Sequence, residues 1–129
     1  MLVVSGLDAW FAERLKDTGL RVETTAYVTG VLSRRRWEAA DMSNESIVQA
    51  FQNARSTGGF AAYQRIGDWV LFVSTVMPNA MRTEQEAIQT IGQLAYLSCY
   101  RLINRKWDVY EELADQLPLV ARRVRHMLV

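Results

Sequence analysis

The sequence predicts an all-α protein, a compact helical bundle of about five to seven helices in a single domain over residues 1–129, with a buried central helix near residues 60–77. Three observations carry this expectation. Apolar residues recur at helical spacing along most of the chain. Breakers are few, with prolines only at Pro78 and Pro118 and one glycine pair, Gly58-Gly59. Half the residues are hydrophobic and 22% are charged, the balance of a domain that can bury its own core.

The first predicted helix, Leu7 to Asp17, collects Leu7, Trp10, Phe11 and Leu15 on one side and has Gly19 just past its end. A second, Val22 to Trp37, groups Tyr27, Val28, Val31 and Leu32. The third follows Ser43, a good N-cap, has Glu45 in its first turn, and carries Ile47, Val48 and Phe51 before fading ahead of Ser56-Thr57-Gly58-Gly59. The fourth, Phe60 to Met77, is apolar nearly all round from Ile66 onward, as expected of a helix covered on several faces. Thr83 and Glu86 form a capping box that opens the fifth, which runs through Ile88, Ile91, Leu94 and Leu102 towards Asn104. The sixth begins near Asp108 with Val109, Tyr110, Leu113 and Leu117; Pro118 either kinks it or starts a separate terminal helix.

Composition excludes several functions. The charge of +1 gives no global pull towards nucleic acid or anionic lipid, although 13 of the 15 basic residues are Arg. One Cys and one His cannot make a four-ligand zinc site, and no phosphate-binding glycine loop is present, so no metal or cofactor is expected. His126, near a chain end, is a poor candidate for catalysis, and an enzyme is not expected. The N-terminus lacks signal-peptide character and no apolar stretch approaches bilayer length, which with the single Cys99 points to a reducing, cytoplasmic setting.

The segment Arg65-Ile66-Gly67-Asp68-Trp69 is the most unusual local feature, because a carboxylate enters the most apolar helix. Left unpaired there it costs several kcal/mol, so Asp68 is expected to form a buried polar anchor with Arg65 or Arg101; a ligand site is the alternative. Gly92, Ala95 and Cys99 make a narrow stripe of small residues, against which the helix carrying Gly67 is expected to pack. Cys99 then reads as a small core residue. Trp69, Tyr96 and Tyr100 could line a small-molecule pocket between the fourth and fifth helices. Arg34, Arg35 and Trp37, with Arg105 and Trp107, place aromatics beside cations at helix ends, a composition suited to partner contact. The same arginines, with those at 122, 123 and 125, also complement helix dipoles without any partner.

From Tyr63 to Ala114 the chain resembles an uncharacterised bacterial all-helical family. The resemblance rests on Tyr63-x-Arg65-Ile66-Gly67-Asp68-x-x-Leu71-Phe72-Val73-Ser74, Met77-Pro78, Tyr100-Arg101 and Glu111-Glu112-Leu113-Ala114, with Tyr27-Val28 also similar. It implies the helical fold and a bacterial cytoplasmic setting, and it transfers no activity. The functional expectation is a non-enzymatic protein–protein interaction module (an adaptor, inhibitor or regulatory subunit) that forms a homodimer. The alternatives are a nucleic-acid-associated regulator using the Arg-rich helix ends and a small-molecule-binding bundle.

Overall fold

The computed structural model describes residues 13, 15, 19–34, 44–76, 85–103 and 108–128. Among them lie five helices and no strand: α1 (Val22–Arg34), α2 (Asn44–Thr57), α3 (Phe60–Val76), α4 (Gln85–Leu102) and α5 (Asp108–Leu128). The all-α expectation therefore holds. The predicted helix over 7–17 falls outside the described residues except at Glu13 and Leu15, both helical, with Leu15 fully buried. Gly19 takes φ 81°, the left-handed conformation that glycine adopts freely past a helix end.

Each helix buries the stripe its sequence spacing marks out. On α2, Ile47 and Ala54 are buried with Phe51 half-buried between them. On α4 the buried set is Ile88, Gly92, Ala95, Tyr96 and Cys99, at i, i+4, i+7, i+8 and i+11. On α5 it is Val109, Tyr110, Leu113, Leu117, Val120, Ala121 and Val124. α3 differs in kind: every residue from Ile66 to Thr75 is buried, so this helix is the centre of the bundle. It packs chiefly on α4, with further contacts to α5, α2 and α1. The start of α1 is tied to the start of α5, where the Arg21 amide donates to Glu112 Oε1 at 3.1 Å and the Arg21 guanidinium pairs with Asp108.

The two glycines flagged by the sequence sit at the α3–α4 contact. A Cβ on Gly67 would lie 2.7 Å from the Tyr96 ring, and one on Gly92 would lie 2.6 Å from a Val70 methyl. Neither position has room for a side chain, so close approach of the backbones requires glycine at both.

Pro118 neither restarts the helix nor ends it, since α5 runs unbroken from Asp108 to Leu128. A proline within a helix removes the amide that would bond the carbonyl four residues earlier, which here is Ala114 O. Gln93 on α4 supplies the missing donor, its Nε2 lying 2.9 Å from Ala114 O. A neighbouring side chain thus satisfies the group the proline orphans.

Candidate functional site

The carboxylate of Asp68 occupies the middle of the bundle, with the residue 2% exposed. Its Oδ1 accepts hydrogen bonds from Tyr27 Oη on α1 at 2.6 Å and from Tyr96 Oη on α4 at 2.8 Å. The first is as short as a hydrogen bond to a charged acceptor, and the second has the ordinary O–H···O length. Tyr27 and Tyr110 are hydrogen-bonded to each other through their hydroxyls. Because the Tyr27 proton is directed at an acceptor-only carboxylate, the proton in that second contact comes from Tyr110. Gln64 Nε2 in turn donates to Tyr110 Oη at 2.8 Å. The result is a directed chain, Gln64 to Tyr110 to Tyr27 to Asp68, with Tyr96 converging from the other side.

The rings pack as well as bond. Tyr27 meets Tyr110 edge-on at 5.4 Å and Tyr96 edge-on at 6.3 Å, and Phe60 closes over Tyr110 at 5.4 Å. These edge-to-face arrangements match the charge distribution of aromatic rings. Ring packing and proton direction agree on one conformation, which fixes α1, α3, α4 and α5 against one another.

This environment keeps its tyrosine hydroxyls and its thiol protonated. Burial raises the Tyr27 and Tyr96 hydroxyls well above the ordinary tyrosine value, and the negative charge of Asp68 raises them further. Burial also pushes the Cys99 thiol up to about 12, with Asp68 adding to the effect. The thiolate is the reactive form of cysteine, so Cys99 serves as a small core residue, its Sγ lying 3.8 Å from Phe60 O. The cluster is chemically suited to holding helices in register, with neither a poised nucleophile nor a base open to solvent.

Arg65 and Arg101 are exposed, whereas Asp68 is buried. Trp69 and Tyr96 are interior, at 4% and 0% exposure. Tyr100 is half-buried and faces α5, where the Glu111 charge raises its hydroxyl pKa, with desolvation adding to the effect. Arg34 closes α1, while Arg35, Trp37, Arg105 and Trp107 lie outside the described residues. Among the described residues no group of three His, Cys, Asp or Glu could hold a metal ion, and no helix is long and apolar enough to cross a membrane.

Two clefts and an exposed pair of leucines lie on the surface of the described residues. Ala50, Ala54, Ala62 and Ile66 floor an open cleft of about 380 Å³ between α2 and α3. A second cleft, about 520 Å³, lies between α4 and α5 and carries Glu111, Glu112 and Asp115. The outer side of α4 leaves Leu94 44% and Leu102 50% exposed, with Leu97 half-buried beside them.

No family model, curated protein or solved structure matches the chain. Its chemistry is therefore read from its own residues. Sequence reasoning singled out Asp68 but missed Tyr27, Tyr110 and Gln64 as members of its network. The signal was present: a buried carboxylate needs donors, and tyrosine is a donor on an otherwise apolar stripe.

Proposed function

We propose that this protein is a non-enzymatic protein-binding module that assembles as a homodimer through the outer face of α4. The observation carrying this reading is the exposure of Leu94 and Leu102, 44% and 50%, on a helix that buries Ile88, Gly92, Ala95, Tyr96 and Cys99. The half-buried Leu97 stands one turn after Leu94 on the outer side, while Leu102 follows at the C-terminal end of the helix on the flank next to the buried stripe. Large apolar side chains left exposed on a well-packed helix support a contact surface there. Arg105 and Trp107 follow Leu102 within the next five residues, and with Arg34, Arg35 and Trp37 they would supply the Arg and aromatic contacts that interfaces favour. The polar groups of the interior support the same reading, because the Asp68 network is consumed in holding helices together.

Sedimentation velocity on the full chain tests it. The wild type should sediment as a dimer at low and at high salt, since apolar contacts resist screening. The Leu94→Glu/Leu102→Glu double variant should be monomeric with an unchanged helical signal. A monomeric wild type would overturn the homodimer reading. Assembly that needs nucleic acid and collapses with added salt would point to the arginines instead.

A further inference from the structure

We propose that the cleft between α2 and α3 is a docking groove for an acidic segment of a partner protein, one that presents an apolar side chain flanked by carboxylates. The proposal extends the protein-binding reading to a surface separate from α4 and to a partner of defined charge.

The floor of the groove comes from small residues at helical spacing. Ala50 and Ala54, at i and i+4 on α2, face Ala62 and Ile66 on α3, leaving about 380 Å³ open to solvent. That is room for one or two large apolar side chains at the lower end of the size of ligand sites. The polar side chains of the lining are the exposed Asn53, Thr57 and Arg65 at the rim, with Thr57 Oγ1 donating to Asn53 O at 3.1 Å. Arg65 is exposed, and among the described residues it has no ion-pair partner.

Charge selects the occupant. Arg65 is the one charged residue lining the cleft; α2 also carries Glu45 in its first turn and an exposed Arg55 in its last. The next carboxylate along the chain, Asp68, is buried beneath Tyr27 and Tyr96 and offers nothing to the rim. An apolar groove whose one charged lining residue is an arginine favours an amphipathic helix or strand bearing Asp or Glu beside its apolar anchor. The second cleft is the internal control. It presents Glu111, Glu112 and Asp115 against Arg21 alone, and it repels the same segment.

The test uses ¹⁵N-labelled full-length protein in its monomeric Leu94→Glu/Leu102→Glu form as well as the wild type, so that loss of the dimer and loss of docking are read separately. The probe is a synthetic amphipathic peptide of about 14 residues made of Glu, Ala and Leu, compared with the same peptide carrying Gln for every Glu. Binding of the Glu peptide should shift amides within residues 50–66 in both proteins. Affinity should fall about tenfold for the Gln peptide and for Arg65→Glu. Arg65→Lys should keep it, and Ala50→Phe, which fills the floor, should abolish it. The absence of any shift up to about 1 mM peptide would overturn the proposal. So would equal binding of the Gln peptide, or shifts centred on residues 111–116. Concentration-dependent shifts at residues 50–66 without peptide would show a second copy in the groove and would equally overturn it.

Discussion

The central helix α3 meets its neighbours through small residues in two places, and the outcomes are opposite. Against α4, Gly67 and Gly92 admit the Tyr96 ring and Val70 so closely that a single added carbon has no room. Against α2, Ala50, Ala54 and Ala62 leave an open cleft. The difference lies in the facing side chains. A small residue brings two helices together only where the opposite helix supplies bulk to fill the space; where it supplies another alanine, the space stays open. Small-residue patterns therefore mark both a tight contact and an open groove of this molecule.

Gly92 breaks the tight contact most directly. Gly92→Ala gains about 1 kcal/mol of helix propensity, yet its Cβ would meet Val70 at 2.6 Å and 2.8 Å and Leu117 at 3.1 Å. Val70 is β-branched, fully buried and in mid-helix, so it has one comfortable rotamer and cannot give way. Overpacking costs about 1–3 kcal/mol, and we expect it to outweigh the propensity gain. Gly92→Leu should fail to fold cooperatively. A thermal melt of Gly92→Ala at or above wild type would show that the α3–α4 contact is looser than described here.

Asp68→Ala is next. It strands the Tyr27 and Tyr96 hydroxyls, which now donate at 2.6 Å and 2.8 Å, and each buried donor left without a partner costs about 1–3 kcal/mol. We expect a loss of about 3 kcal/mol in urea titration. Arg65→Ala, one turn earlier on the exposed side, should stay within about 0.5 kcal/mol. Equal effects at the two positions would sink the contrast between a consumed interior and a free rim.

The helices were legible because their signal is local. α1 begins at Val22 and α3 spans Phe60 to Val76, within a residue of the spacing-based expectation at these ends. The polar network was not legible, because its bonds join residues 41 and 28 positions apart, and their meeting depends on how the helices rotate against each other. Pro118 makes the same point. Its sequence context allows a kink or a restart, and the helix continues because Gln93, on another helix, bonds the carbonyl that the proline frees. In both cases the deciding partner is a polar side chain on a buried or half-buried stripe, which periodicity counts merely as a position.

Alkaline titration separates the two regions without mutation at the groove. In the unfolded chain Cys99 ionises near 9.0, whereas in the fold burial holds it to about 12. Between those values the native state keeps a proton that the unfolded state gives up, so stability falls as pH rises, by up to about 1.4 kcal/mol per pH unit for one group. Tyr27 and Tyr96, raised by burial and by Asp68, join above 10.0, where unfolded tyrosines ionise. Below pH 9 these three groups contribute a constant stabilisation. Urea midpoints measured from pH 8 to 11 should therefore be flat at first, then fall with a steepening slope, and Cys99→Ala should move the onset up by about one pH unit. The groove holds no group that titrates in this range, since its charged member is an arginine. Peptide-induced shifts at residues 50–66 should persist to the pH at which the whole fold is lost. Docking that fades ahead of global unfolding would mean that the α2–α3 surface is coupled to the tyrosine cluster, and the two regions would then have to be treated as one.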